Sequence, residues 1–366
     1  MNRGTYLTQI ATAVPSFRYS QAELAKWMAK RLRPNDERLE RKLGVLYHRT
    51  KIENRYSVLP DFDESNGEAK LFKAEQKTEP KVELRMQLYQ KHAKSLCKSA
   101  IKKLLAEDEL ATISHLITVS CTGLSAPGLE LQLKEDLPFS DALETHGVNF
   151  IGCYAFFPAL KMARAFCAQD GNAKVLIVAV ELCTLHFQNQ ETDDHLLSNS
   201  LFADGAAACL VEGEETYRKH NKPALSVQNM AQLHLPNGKQ DMAWDIHSSG
   251  FLMKLSSYIP NLVDHGIKQL IQKLNQKQQH QIDQWAIHPG GRKILEVCQK
   301  ELQLSDDDLS ASYEVLRGYG NLSAPTIMFV LHELWQKAEK GKQVFACGFG
   351  PGLTLDGAVL KWTEDA

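Results

Sequence analysis

Residues 147–181 read GVNFIGCYAFFPALKMARAFCAQDGNAKVLIVAVE, and this stretch decides the fold. Gly152-Cys153 enters a helical run, Gly171 ends it, and an unbroken apolar strand follows from Val175 to Val180. Phe156, Phe157, Leu160, Met162, Ala163, Ala165 and Phe166 surround most of that helix, so the pattern predicts a buried helix rather than an amphipathic one. A cysteine at the opening turn of such a helix is expected to face unpaired N–H groups and the positive end of the macrodipole. Both favour thiolate over thiol, which makes a nucleophile. A free cysteine there also fits as a small buried apolar residue.

The rest of the chain bounds the choice. Its 366 residues suggest two domains or one duplicated unit. Hydrophobic content of 43% and charged content of 23% are those of a globular enzyme, and a net charge of −2 gives no footprint for nucleic acid or an anionic membrane. No apolar run approaches a membrane span, and the first residues, MNRGTYLTQIATAVPSF, lack a signal-peptide core. The eight cysteines are scattered without a C-x-x-C pair, which argues against a disulfide framework or zinc site and for a reducing, cytoplasmic setting.

Outward from the opening stretch, strand and helix alternate. A first strand is expected over 5–14, then a helix QAELAKWMAKRL capped by Ser20, an exposed polar loop over 60–80, and a long helix from 81 to 106. The strand HLITVS (115–120) turns through Cys121-Thr122-Gly123 into a helix. The strand after Phe202-Ala203-Asp204-Gly205 ends near Val211, and polar residues 212–223 form the predicted boundary between halves 1–222 and 223–366. The second half repeats the plan: Gln284-Trp285-Ala286-Ile287, the turn His288-Pro289-Gly290-Gly291, a buried helix entered at Gly320-Asn321, and the strand QVFACGF. Ser120 to Cys153 and His288 to Asn321 each span 33 residues, and Pro158 and Pro325 occur early in the two buried helices. Matched spacing predicts a duplicated α/β fold in which Cys153, His288 and Asn321 converge from equivalent element ends.

Cys, His and Asn together serve two chemistries. In a cysteine hydrolase Asn orients His, which is the base for the thiol. In a carbon–carbon condensing enzyme His and Asn both direct N–H donors at a thioester oxygen and stabilise an enolate.

The runs GVNFIGCYAFFPALKMA, LFADGAAA, WAIHPGGRKIL, GYGNLSAPTIMFVL and GFGPGLTLDGAVL decide between them by resemblance. In this order they resemble the type III polyketide synthases, the chalcone-synthase-like branch of the thiolase superfamily, from about Thr5 to Leu360. The resemblance implies a duplicated, five-layered αβαβα thiolase-like core and a cytoplasmic homodimer. It implies iterative decarboxylative condensation of malonyl-CoA onto a starter thioester, with cyclisation to a pyrone, resorcinol or phloroglucinol-type ring. Substrates are CoA thioesters, a carrier protein is a possible starter donor, and no metal or other cofactor is implied.

Carried over by residue, the resemblance makes Cys153 the acyl-holding nucleophile and His288 and Asn321 the oxyanion donors. Phe202 matches a gatekeeper at the cavity, and Gly350 and Pro351 lie in its cyclisation loop. Met253 stands where plant enzymes carry a second gatekeeper phenylalanine, implying a gate open to another, aliphatic starter. Cys121 and Thr122 match lining positions. Cys183 and His186 match positions held elsewhere by small hydroxyl residues; His186 would narrow the cavity or serve a ring closure. Lys42 and Arg49 match CoA-phosphate cations, with Val45 in place of a third. Competing readings are a single-step ketoacyl-carrier-protein synthase III, disfavoured by HPGG and GFGPG, a cysteine-dependent thioester hydrolase, and a non-enzymatic partner, disfavoured by the intact triad.

Overall fold

A helix that is apolar all round needs cover on every side, so the two runs matched in the sequence must lie at the centre of the molecule. The computed structural model describes residues 3–73, 78–220, 222–238, 241–256, 259–275 and 281–363, and it places the helices Phe156–Gln169 and Thr326–Trp335 in one shared core cluster. The strands in chain order are β1 Thr5–Ala13, β2 Phe17–Ser20, β3 Asn54–Ser57, β4 His115–Ser120, β5 Glu144–Asn149, β6 Lys174–Leu182 and β7 Asp204–Gly213. They continue with β8 Leu225–His234, β9 Met242–His247, β10 Gly250–Leu255, β11 Gln284–Ile287, β12 Gln343–Gly350 and β13 Thr354–Trp362.

Nine of them make one sheet in the order β11-β12-β13-β8-β1-β7-β6-β4-β5. From β4 the pairings run parallel to β6, antiparallel to β7 and antiparallel to β1. From β11 they run parallel to β12, antiparallel to β13 and antiparallel to β8. The repeated pattern is the duplication that the spacings announced. The halves meet where β1 pairs β8, through Tyr6–Ser226 and Leu7–Leu225.

Strand alternation then sorts the core into layers. On β6, Val175, Ile177 and Ala179 face the central helices, whereas Leu176, Val178 and Val180 belong to the outer cluster. That outer cluster takes in the helices Val82–Leu104 and Ile259–Asn275, one from each half. Helix, sheet, central helices, sheet and helix are the five expected layers. Among the described residues no helix is long and apolar enough to cross a membrane.

Local signals hold where they are strong. Ser20 closes a full capping box with Glu23 at the start of the helix Gln21–Leu32. Two expectations change. The loop over 60–73 is exposed only in its middle: Phe62, Leu71 and Phe72 are buried at its ends, and the Asp61 carboxylate accepts the N–H groups of Lys70, Leu71 and Phe72. Residues 74–77 of that predicted loop lie outside the described residues. The 212–223 linker is also shorter than its polarity suggests. Glu212 and Gly213 finish β7 and Glu214–Tyr217 forms a short helix, while residue 221 lies outside the described residues. The strands β2, β3, β5, β8, β9, β10 and β13 were not predicted; β9 and β10 form the two-stranded hairpin that carries Met253.

Candidate active site

Three element ends meet at a cavity of about 280 Å³, whose wall includes Cys153, His288 and Asn321. Cys153 does not sit in the helix but in the tight turn before it, since the helix begins at Phe156. Gly152 makes that turn possible: its φ is +107°, and a Cβ there would lie 2.2 Å from Pro351 Cδ. The glycine of the Gly-Cys pair and the proline of GFGPG are therefore packed partners. Gly350 is held small for a related reason, since a Cβ would lie 2.4 Å from the Tyr154 ring.

His288 follows β11 directly, with its N–H donating to the Cys347 carbonyl of β12 at 2.9 Å. Its ring is 1% exposed, and neither ring nitrogen has a hydrogen-bond partner. Buried polar atoms are rarely left so, and both of these belong to a residue of the cavity wall. Asn321 is fixed from both sides. Its backbone bonds Leu201 and Ala203 around the Phe202 bridge, its Oδ1 accepts the Ser323 N–H at 2.8 Å, and its Nδ2 donates to the Gly290 carbonyl at 3.1 Å. The amide orientation follows from these bonds, and the second Nδ2 hydrogen remains for the Cys153 sulfur.

The electrostatics differ from the helix-end expectation. Burial pushes the Cys153 thiol up to about 12, against the smaller opposing pull of the Ser323 hydroxyl, its own N–H and Asn321. Burial likewise lowers His288 to about 3. Both shifts favour a neutral thiol beside a neutral imidazole. Moving the proton between them creates opposite charges whose attraction offsets part of the desolvation penalty.

Glu181 is a feature that motif reading missed. It ends the apolar strand β6 and is wholly buried. It accepts from the Cys121 N–H at 3.0 Å, the Thr122 hydroxyl at 2.7 Å and the Ser323 hydroxyl at 3.4 Å. Ser323 in turn accepts from the Cys153 thiol at 3.5 Å. Burial pushes Glu181 up to about 7, so a thiol–hydroxyl–carboxyl chain ends in a group that exchanges protons near neutrality. A lone carboxylate closing an apolar strand was the available signal.

Cys121, Phe202, Met253, Pro351 and Arg49 line the cavity as expected. Thr122, Cys183, His186, Gly350 and Lys42 are not among its lining residues. Thr122 is committed to Glu181 and to the Leu182 N–H. Lys42 is exposed on the helix Glu37–Arg49, one turn before the lining residue Leu46. Arg292 and Lys293, at the start of the helix Arg292–Leu302, stand on the wall with Arg49. Both lie in the run WAIHPGGRKIL, from which no phosphate-binding role was read.

His186 neither narrows the main cavity nor offers a free base. It is buried in a separate side chamber, where one nitrogen pairs with the Thr122 carbonyl at 2.7 Å and the other accepts the Phe251 N–H at 3.0 Å. Burial lowers it to about 3, so the fold holds it neutral and its stabilising contribution is full above the unfolded value of 6.5. That contribution is lost as pH falls from 6.5 toward 3. The melting-temperature advantage of the parent over His186→Gln should therefore shrink by a few degrees between pH 7.5 and pH 5, as read by calorimetry. A constant difference would exclude this linkage.

Comparison with known proteins agrees with the site. The chalcone and stilbene synthase N-terminal domain matches residues 2–215 and the C-terminal domain residues 226–363. An alpha-pyrone synthesis polyketide synthase-like protein of Mycobacterium tuberculosis, Pks18, is 28% identical over 96% of this chain and 89% of its own. The crystal structure of PKS-I from the brown alga Ectocarpus siliculosus superposes with a TM-score of 0.90, at 25% identity, covering 99% of each chain. That of 1,3,6,8-tetrahydroxynaphthalene synthase from Streptomyces coelicolor, a bacterial type III polyketide synthase, gives 0.84 at 25% identity, over 98% of this chain and 99% of that one. With both halves matched across the convergent cysteine, histidine and asparagine, the chain belongs to the chalcone and stilbene synthase family: it is a type III polyketide synthase with the thiolase fold.

Proposed function

We propose that this acyltransferase builds its product by repeated decarboxylative condensation on Cys153. The carrying observation is the convergence in one cavity of a buried thiol, an imidazole with both nitrogens unpartnered, and an amide locked with one N–H to spare. The Cys153 sulfur attacks the carbonyl carbon of a starter CoA thioester while His288 takes the thiol proton. The C–S bond to CoA then breaks, and that proton leaves with the CoA thiol. Malonyl-CoA bound next loses carbon dioxide. The electron pair of the broken C–C bond forms an enolate, whose oxygen accepts from His288 and Asn321. The enolate carbon attacks the acyl-cysteine carbonyl and expels the cysteine thiolate, which recaptures the longer chain for the next cycle. Cyclisation to a pyrone, resorcinol or phloroglucinol-type ring ends the sequence. Thiolate and oxyanion donors suffice for these steps, so the proposal invokes no cofactor.

CoA phosphates fit the cationic wall of the cavity. Arg49, Arg292 and Lys293 lie there on two different helices, and Arg292 is shared with Glu296 at 2.6 Å. Lys293→Ala should raise KM for malonyl-CoA about threefold to tenfold with kcat within about twofold, because a contact to a non-reacting phosphate is kept from ground state to transition state. Malonyl N-acetylcysteamine, which lacks the phosphates, should be unaffected; an equal loss with both substrates would remove Lys293 from the phosphate site. The proposed working unit is a homodimer, with a carrier protein as an alternative starter donor.

The functional test incubates the purified protein with labelled malonyl-CoA and starter CoA thioesters from acetyl through long-chain acyl to aromatic, read by mass spectrometry. Cyclised products several two-carbon units longer than the starter are expected. Single extension with malonyl carrier protein alone would move the protein to the one-step condensing reading, and free acid alone to hydrolysis.

A further inference from the structure

The helix Asp193–Leu201 ends inside the core, directly before Phe202 of the cavity wall. A helix leaves its last carbonyls without partners of its own, and here the fold supplies them from other elements. Gln21 Nε2 donates to the Ser200 carbonyl at 2.8 Å, and the Asn321 N–H donates to that of Leu201 at 2.9 Å. The Tyr47 hydroxyl donates to the Asn199 carbonyl at 3.3 Å. Arg55 of β3 serves two at once: its Nη1 donates to the Asn199 carbonyl at 2.6 Å and to the Phe202 carbonyl at 2.8 Å.

Arg55 is 1% exposed, and arginine is almost never buried so completely without a task. Burial lowers it to about 10, which leaves it charged at neutral pH. Its surroundings suit a cation. The negative end of the helix faces it, and its guanidinium carbon stands 5.4 Å and 5.7 Å from the ring centroids of Tyr47 and Phe187. The same side chain also reaches both sides of the link between Phe202 and Asn321. These two residues form an isolated parallel bridge, in which the Asn321 N–H bonds the Leu201 carbonyl and the Ala203 N–H bonds the Asn321 carbonyl, each at 2.9 Å. Gly320 enters that bridge with a φ of +73°, and a Cβ there would lie 2.8 Å from the Leu201 carbonyl oxygen and 3.0 Å from Arg55 Cγ. The stem of Arg55 thus packs on the residue before Asn321, while its head holds the carbonyl of the residue opposite.

We infer that Arg55 is a positioning residue for the condensing reaction: by holding the Asn199 and Phe202 carbonyls it fixes the Phe202–Asn321 bridge, and so keeps the Asn321 amide aimed at the enolate oxygen. Arg55 is not among the residues lining the cavity, so it acts through Asn321 rather than on a thioester. The inference rests on the acyl-transfer reading above, in which Asn321 serves decarboxylation and not loading. A misplacement of about 1 Å in a reacting constellation costs about 10²-fold in rate, so losing this anchor should appear in the step that Asn321 serves.

Arg55→Met keeps the stem and removes the donors and the charge. Arg55→Lys keeps the charge, and because one nitrogen makes both carbonyl bonds, an ammonium can replace it. Labelled carbon dioxide release from malonyl-CoA and acylation of Cys153 by intact mass are measured for each, well below its thermal transition. Arg55→Met should lower decarboxylation about tenfold to hundredfold with loading within about threefold of the parent, and Arg55→Lys should return decarboxylation to within about fivefold. The Asn321→Ala background gives the readout that packing alone would not move. There Arg55→Met should change decarboxylation by less than about twofold, because the donor it positions is already gone. Losses that multiply in the double variant overturn the proposal. So do equal losses in loading and decarboxylation, a parent-like rate in Arg55→Met, or no recovery by lysine. Should Arg55→Met not fold, Arg55→Gln, whose amide ends two bonds short of Nη1, takes its place with the same expected loss and the same cycle. Failure of both to fold also overturns the proposal, because Arg55 would then serve the core alone. A parent that neither loads Cys153 nor decarboxylates malonyl-CoA fails the acyl-transfer reading itself, before any variant is compared.

Discussion

Cys153→Ala is expected to lose acyl loading altogether and to cut polyketide formation by at least about 10⁴-fold, the scale at which a nucleophile rather than a helper is removed. Intact-mass spectrometry after incubation with the starter CoA should show an acyl adduct on the parent and none on the variant. The fold should survive. The thiol's side-chain hydrogen bonds are a 3.5 Å bond to Ser323 and the contact with Asn321, and the turn that places it is set by Gly152 against Pro351. Malonyl-CoA decarboxylation should persist in the variant, because His288 and Asn321 still line the cavity. Labelled carbon dioxide release without chain growth would separate the two half-reactions in one protein. Undiminished polyketide formation by Cys153→Ala would sink the assignment of the nucleophile.

Asn321→Ala should show the complementary pattern. Loss of one oxyanion donor costs about 10²–10³ in rate, so decarboxylation and condensation should fall by that factor while the Cys153 adduct still forms. The backbone bonds that tie residue 321 to Leu201 and Ala203 do not need the side chain. The side-chain bonds to Gly290 and Ser323 do, and their loss should lower the melting temperature by a few degrees. Thermal unfolding therefore accompanies the kinetics, and the rate measurement is made well below the transition. The result also discriminates between reactions. Where asparagine only orients histidine, loading should suffer as much as decarboxylation; where it holds an enolate oxygen, loading should be nearly spared. Equal losses in both steps would take Asn321 out of the oxyanion site.

Much of this was legible because it depends on local pattern. A helix without a polar face must be central, matched spacings must fold into matched halves, and Ser20 three residues before Glu23 forms its cap wherever the helix lies. Gly152 and Pro351 could each be read as backbone requirements. That each explains the other needed the 2.2 Å approach between them. Motif matching brought Cys153, His288 and Asn321 together but also placed His186, Cys183 and Thr122 on the main cavity, from which the folded chain withholds them.

The sequence by itself thus determined the duplicated core and the identities of the three converging residues, since periodicity, turn chemistry and motif order are properties of neighbours along the chain. Tertiary structure decided everything that depends on neighbours across it. The protonation of Cys153 is governed by burial more than by the helix end, the side chain of His186 is consumed by Thr122 and Phe251, and Glu181 reaches the nucleophile through Ser323. Lys42 lies outside the cavity wall that Arg49, Arg292 and Lys293 share. Desolvation and hydrogen-bond satisfaction are set by what surrounds an atom in space, and residues such as Arg55 and Phe202, far apart in the chain, meet only when folding brings β3 against the end of the helix Asp193–Leu201.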